Sequence, residues 1–355
     1  MKNPYFNPDK KHHRSDGFQN NYTPFQPKRW PELLRWKWEA WRGGHPRPPT
    51  TPIPVVAPDL RFIQANGMAG LAMQPAVTWI GHITVLAQLG GLNILTDPVF
   101  SDRCSPVQWA GPRRHTPPGL VIGHLPHIDI VLLSHNHYDH LDEASVRALA
   151  AQRGGPPLFI VPLGLRPWFA ERGIQHVMQM DWWDEYVVEA GERRARIAIT
   201  MTPAQHWSAR SATDAMRTLW GGFAVRSPDC HLFFAGDTGY SPDFADIRQH
   251  FAAEQTAELG GGFDMALLPI GAYEPRWFMK DQHVNPTESV QIFKDLGCKR
   301  ALAVHWDTFE LTDEALDEPP RALAEALQAQ NVDDQDFQVL AIGQTWRLPF
   351  RGAPA

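Results

Sequence analysis

The stretch from Ile128 to Asp142, Ile-Asp-Ile-Val-Leu-Leu-Ser-His-Asn-His-Tyr-Asp-His-Leu-Asp, constrains the fold more than any other part of the chain. Its first half is apolar and rich in β-branched residues, the composition of a buried strand. The strand stops in three histidines and an aspartate within six positions: His135, His137, Asp139 and His140. Side chains two apart on a strand share a face, so His135 and His137 point the same way. Asp139 and His140 follow as the chain turns and reach a second point close by. Two imidazoles in one direction, and an imidazole with a carboxylate in another, suit two adjacent borderline metal ions. The plainer reading is a polar turn that caps a helix, with Asp142 as N-cap of Glu143 to Ala150. A cap has no use for three histidines beside it.

The chain has 355 residues, 43% of them apolar and 20% charged, enough to bury a sizeable core in one large α/β domain or two. A net charge of -6 excludes a nucleic-acid binder that works through a basic face. Cys104, Cys230 and Cys298 are far apart and odd in number, so neither a disulfide framework nor a cysteine zinc site is indicated, and a reducing interior fits best. Met1 to Pro27 is polar with no apolar core of a secretory signal behind it, and no apolar run is long enough to span a bilayer. The expected location is cytoplasmic, or peripheral at the inner membrane face.

Residues 1–58 read as an N-terminal arm and 59–355 as the globular domain. The first part of the arm is expected to be extended or disordered, and a metal site at His12 and His13 is poorly supported. From Lys28 to Arg42 the sequence is Trp-rich and basic. Pro31 suits a first helical turn and Gly43-Gly44 closes it. Helical spacing predicts a stripe of Trp30, Leu33, Leu34, Trp38 and Trp41. That stripe serves either an amphipathic helix on a membrane surface or packing against the domain or a second subunit. Pro46 to Pro58 is a stiff linker.

Within the domain, Val77–Leu86 and Leu92–Pro98 read as consecutive strands joined by a Gly90-Gly91 turn. Ser101 to His127 is proline-rich, without periodicity, and is expected to be a long functional loop. Further apolar strands run directly into His206, Asp237 and His305. Singly, each has an ordinary explanation as a core histidine, a turn aspartate or a neighbour of Trp306. Together with His135 and His137 they make a dinuclear metal site at strand ends, where α/β folds build their sites. His82 either faces the metals or satisfies a buried strand, and taken alone it reads as core.

The set His135-x-His137-x-Asp139-His140, His206, Asp237 and His305 resembles the metallo-β-lactamase superfamily. Thr96-Asp97-Pro98-Val99-Phe100, Ser134 to Asp142, Asp181-Trp182-Trp183, Phe234 to Tyr240 and Pro269 to Met279 narrow the resemblance to the N-acyl-phosphatidylethanolamine-hydrolysing phospholipase D family. The match runs from about Leu60 to Leu348, while the arm, Trp109 and Asp307 depart from the animal enzymes. The resemblance implies an αββα sandwich, a hydrolase domain over 59–355 and a homodimer. It also implies two Zn2+ per chain. One would take His135, His137 and His206, the other Asp139, His140 and His305, with Asp237 as the bridge; iron and manganese suit the same residue types.

The expected reaction is hydrolysis of the phospholipid's phosphodiester by a metal-activated hydroxide, releasing an N-acylethanolamine and phosphatidic acid. Asp139 is expected to be both ligand and acceptor of the water's proton. His283 matches a family position beside the substrate, for phosphate contact or leaving-group protonation. Tyr138 and Gln108 are further candidates for headgroup or phosphate contact. Two other readings stand beside this one: a hydrolase of the same superfamily acting on a lactone or cyclic phosphodiester, and a peripheral lipid-binding protein with a structural metal site.

Overall fold

The computed structural model describes residues 2–24, 26–28, 30–211 and 213–352. A small hairpin, β1 (His13–Arg14) and β2 (Gly17–Phe18), lies in the arm, followed by helices α1 (Trp30–Gly43) and α2 (Leu60–Gly67). The domain then alternates strands and helices. In its first half these are β3 (Ala76–Gly81), β4 (Thr84–Leu89), β5 (Leu92–Thr96), β6 (Ile130–Leu132), α3 (Glu143–Ala150), β7 (Leu158–Pro162), α4 (Arg166–Ala170) and β8 (Val177–Met180). The second half holds β9 (Glu185–Val188), β10 (Ile197–Thr202), β11 (Gly222–Arg226), β12 (His231–Phe234), α5 (Asp243–His250) and β13 (Met265–Pro269). It continues with α6 (Arg276–Met279), α7 (Pro286–Leu296), β14 (Ala301–Val304), α8 (Glu318–Gln330) and β15 (Phe337–Gln338), and β16 (Thr345–Arg347) closes the chain.

The strands form two seven-stranded mixed sheets, ordered β16-β3-β4-β5-β6-β7-β8 and β15-β14-β13-β12-β11-β10-β9. Each combines an antiparallel meander with a parallel run, β5 to β8 in one and β12 to β15 in the other. Parallel neighbours need crossover connections, which α3 and α4 supply in the first sheet. The pleat sorts the side chains. Val85, Ala87, Ile130 and Leu132 share one apolar cluster with Ile199, Met201, Phe223 and Phe233 of the other sheet. Leu86, Leu95, Val131 and Phe159 point the other way and pack with Val146 and Leu149 of α3 and Phe169 of α4. Phe244, Val290 and Leu323 bring α5, α7 and α8 into the central cluster from the far side. Strands buried on both faces carry near-continuous apolar runs, which is how these sequences read. The result is the αββα sandwich.

Two local expectations change and one holds. Val77–Leu86 is two strands, because Gly81 (φ 134°) and His82 (φ 52°) turn the chain between β3 and β4. Gly90 and Gly91 do make the turn between β4 and β5, both with positive φ. Asp142 precedes α3 without a side-chain cap; its carboxylate instead takes the Phe100 and Ser101 amides and the Ser101 and Ser145 hydroxyls.

The largest correction concerns the arm, which packs on the domain over its described residues. Lys10 Nζ, His12 Nε2 and His13 Nε2 all converge on the Asp181 carboxylate, at 2.5, 2.7 and 2.8 Å. His12 also stacks on Trp182, and Asn21 Nδ2 donates to Asp243. A buried carboxylate 169 residues from His12, bonded by one ammonium and two imidazoles, is what orders a polar segment that has little apolar surface of its own.

Candidate metal centre

The strand ends of both sheets open onto one edge of the sandwich. His135 and His137 follow β6, His206 follows β10, Asp237 follows β12 and His305 follows β14. His135 Nε2 and His206 Nε2 lie 2.8 and 3.3 Å from His137 Nδ1. Beside them, Asp139 Oδ2 sits 3.4 Å from His140 Nε2 and 3.3 Å from His305 Nε2. Asp237 stands between the two groups: its Oδ2 is 3.0 Å from His140 Nε2 and 3.8 Å from His206 Nε2, and its Oδ1 is 3.1 Å from His305 Nε2. All seven residues named from the sequence come together here.

The electrostatics fit cations. Burial drives the imidazoles of His135, His137 and His206 down, His137 to about 3 and His206 to about 4, so they stand neutral with lone pairs facing one another. Three converging lone pairs repel unless something positive sits among them. His137 Nε2 is buried without a hydrogen-bond partner. Burial also opposes charge on His140 and His305, but Asp237 and Asp139 outweigh it and lift His305 to about 9. Conversely, burial pushes Asp139 and Asp237 up, and the surrounding imidazoles, His140 first, hold both well below the usual carboxylate range. Two buried carboxylates thus recruit positive charge, and divalent ions supply it while using the neutral nitrogens as well. The residues present fit a metal.

Neighbouring groups hold the ligands in place. Asp97 Oδ2 is 2.6 Å from His140 Nδ1, and Asp97 is itself fixed by the Ser134 amide at 2.7 Å and its hydroxyl at 2.5 Å. His135 Nδ1 lies 2.9 Å from Ser134 Oγ, and His206 Nδ1–H donates to the Gln282 carbonyl at 2.9 Å. A histidine that donates from Nδ1 presents a bare Nε2, the tautomer a metal takes. His82 belongs to the site, with Nε2 3.2 Å from Asp139 Oδ2 and its ring tilted against His305 at 4.2 Å. Buried beside His305, it is lowered to about 3 and stays neutral. Non-glycine residues with positive φ gather at this edge: His82, Asp97, Ala272, His305 and Asp307. Such conformations concentrate where surrounding structure over-determines them.

The other candidates divide. His283 joins the centre: its Nδ1 is 3.9 Å from Asp237 Oδ2, and its ring stacks on His305 at 5.6 Å. It lines a cavity of about 390 Å³ together with His137, Asp139 and Asp237. The remaining walls are mostly apolar, with Leu33 and Trp36 of α1, Trp207, Phe278, Met279 and Leu311, and they include the polar Lys28 and Gln282. Tyr138 and Gln108 line a separate polar hollow with Arg147, Arg172 and Arg210. The Tyr138 hydroxyl donates to the Arg210 carbonyl at 2.9 Å.

Comparison with known proteins places the chain in a family. The Beta-lactamase superfamily domain matches residues 92–306. The N-acyl-phosphatidylethanolamine-hydrolyzing phospholipase D 1 of Caenorhabditis elegans is 37% identical over 77% of this chain and 76% of its own length. The mitochondrial enzyme of that activity from Saccharomyces cerevisiae is 39% identical over 69% of this chain and 50% of its own. Among solved structures, an isothiocyanate hydrolase from Delia radicum gut bacteria superposes with a TM-score of 0.59 at 19% identity, covering 77% of this chain and 99% of that one. The diiron β-hydroxylase CmlA of Streptomyces venezuelae gives 0.53 at 18%, covering 78% and 54%. At such identities the structures speak for the fold alone. The sequence relatives reach further, and with more than a third of residues shared over most of both chains this protein belongs to the metallo-β-lactamase superfamily and, within it, to the N-acyl-phosphatidylethanolamine-hydrolysing phospholipase D family of metal-dependent hydrolases.

Proposed function

We propose that this chain hydrolyses the phosphodiester of N-acyl-phosphatidylethanolamine, releasing an N-acylethanolamine and phosphatidic acid. The observation that carries the reading is the cavity. Its floor is the metal centre with His283, and its walls are mostly apolar and partly built by α1. A phosphodiester set on that floor can leave hydrocarbon against Trp36, Trp207, Phe278 and Met279, as a lipid requires and a small polar ester does not.

His135, His137 and His206 would hold one zinc ion and Asp139, His140 and His305 a second, with Asp237 serving both. When bound, divalent ions acidify water and offset negative charge on phosphoryl oxygens. The chain's own groups do the rest. Asp139 accepts a proton from the attacking water. The water oxygen bonds to phosphorus, the bond to the ethanolamine oxygen breaks, and that oxygen takes a proton. His283, on the cavity wall, contacts a phosphoryl oxygen or delivers that proton. Tyr138 and Gln108, in the hollow next door, contact the headgroup side. The outer face of α1 then meets the lipid surface from which substrate is drawn, and the family resemblance supports a homodimer.

The test is incubation of metal-analysed protein with N-acyl-phosphatidylethanolamine in mixed micelles, beside Asp237→Asn. Release of both products by the wild type alone, with about two zinc ions per chain, is expected. Bound metal without release removes the lipid assignment and sends the search to lactones and other phosphodiesters.

A further inference from the structure

We infer that Asn20, in the N-terminal arm, is a positioning residue for the metal centre, acting through the backbone of His206. The inference rests on the metal-centre reading given above. His206 lies past the end of β10, in the segment that leads away from the sheet, so no strand partner takes its amide. Asn20 does: its Oδ1 accepts the His206 N–H at 3.1 Å and also the Trp220 Nε1–H at 3.0 Å. Asn20 is 3% exposed, and His206 is wholly buried. A buried amide without a partner carries a desolvation penalty, so the arm's carboxamide decides whether this backbone conformation holds.

Two independent anchors fix the ligand. The ring is aimed by the Nδ1–H bond to the Gln282 carbonyl, and the backbone is pinned by Asn20. Asn20 is held there by the arm. On one side the Gln19 amide donates to the His12 carbonyl at 2.8 Å, beside the pairing of Lys10, His12 and His13 with Asp181. On the other, Asn21 Nδ2 donates to Asp243 at 2.7 Å. The neighbouring Trp220 has a second acceptor in the Ala204 carbonyl at 2.9 Å, so it keeps a partner when Asn20 is removed, whereas no other partner for the His206 amide stands among the described residues. The same arm continues into Pro27 and Lys28 at the cavity. An arm that reads as extended or disordered in the sequence therefore helps to assemble the site.

The experiment is zinc binding to metal-free full-length protein by competition with a chromophoric chelator, with metal-free thermal unfolding as the check on the fold. Asn20→Ala is expected to hold zinc roughly ten- to a hundredfold less tightly than wild type, the range for residues that orient ligands from outside the coordination sphere. Asn20→Asp keeps an acceptor oxygen at the same reach and is expected to restore most of the affinity. Trp220→Phe lowers the unfolding temperature with zinc affinity unchanged. Should Asn20→Ala not fold, Asn20→Ser takes its place, since its hydroxyl is too short to reach the amide. Wild-type affinity in Asn20→Ala or Asn20→Ser overturns the inference, as does equal zinc loss in Trp220→Phe, which would make the effect one of packing. Wild-type protein that binds no zinc overturns the metal reading and this inference with it.

Discussion

The Asp97 carboxylate meets no substrate, yet it is buried 2.6 Å from His140 Nδ1 and carries two bonds from Ser134. It fixes which nitrogen of His140 is bare and where it points. Asp97→Asn keeps the shape and loses the charge, and zinc affinity measured by chelator competition should fall about ten- to a hundredfold. Unchanged affinity would remove Asp97 from the site. Gly236 is as demanding: at φ 63° an added Cβ would lie 2.6 Å from Ser134 Cβ and 3.0 Å from the Gly221 carbonyl. Gly236→Ala should lower metal-free stability by roughly 1–3 kcal/mol in thermal unfolding, and displace Asp237 next to it. The residues that meet at this edge were legible because each lies at the end of an apolar strand or, for Asp139 and His140, in the turn just beyond one. His82 stayed open between the metals and the core, because a lone histidine in an apolar run has the same local sequence whether it faces the core or a carboxylate. Only the turn at Gly81–His82, which divides the expected single strand, brings its ring to Asp139.

Among the elements, the central strands and α3 could be read from their apolar patterns, whereas the outer strands β8, β9, β15 and β16, the phase of α1 and the fate of the arm could not. Leu33, Trp36 and Ala40 of α1 face Phe278 and Met279, while Trp30, Leu34, Trp38 and Trp41 stay exposed. With apolar residues on both sides of the helix, hydrophobicity alone does not say which side is inward. The arm depends on Asp181, a partner no local pattern reveals. Burial pushes the Asp181 carboxyl up, but hydrogen bonds from His12 and Lys10 outweigh this and hold it well below the usual range. His13 is lowered by burial, against the pull of Asp181. Both shifts are depressions, so both contribute stability above the unfolded values, near 6.5 and 3.8, that is lost as pH falls. Docking of the arm should therefore weaken from about pH 6 downward and collapse below about pH 4. Hydrogen exchange over residues 2–24 read against pH tests this. Asp181→Asn should loosen the arm at neutral pH, at a cost of about 2 kcal/mol, with the gap from wild type closing in acid. A pH-independent arm would discard the latch.

At the scale of the whole molecule, the distribution of apolar surface bears on how the proposed lipid substrate would reach a buried centre. No helix among the described residues is long and apolar enough to cross a membrane. Instead α1 presents two faces, one that walls the cavity and one that holds Trp30, Leu34, Trp38 and Trp41 out to solvent, Trp30 and Trp41 about four-fifths exposed. Arg35, Lys37 and Arg42 stand among them, and the Arg35 and Arg42 guanidiniums lie over Trp277 and Trp38 at 4.4 and 5.3 Å. Indoles interleaved with cations suit the headgroup boundary, where ring and charge are both accommodated. The protein as a whole carries a net charge of -6, so general attraction to anionic lipid is not the source of any binding. Each indole half-buried in lipid is worth roughly 2–3 kcal/mol, so the tryptophans would set the affinity and the local cations its orientation. Cosedimentation with phosphatidylcholine–phosphatidylglycerol vesicles should then be strong for wild type and weaken only modestly in high salt. A variant with Trp30, Leu34, Trp38 and Trp41 all changed to Ser should lose it, with the unfolding temperature and hydrolysis of a short-chain soluble substrate retained. If the same variant instead turns a dimer into a monomer and leaves vesicle binding intact, the face belongs to a second copy of the chain, and the lipid reaches the cavity by another route.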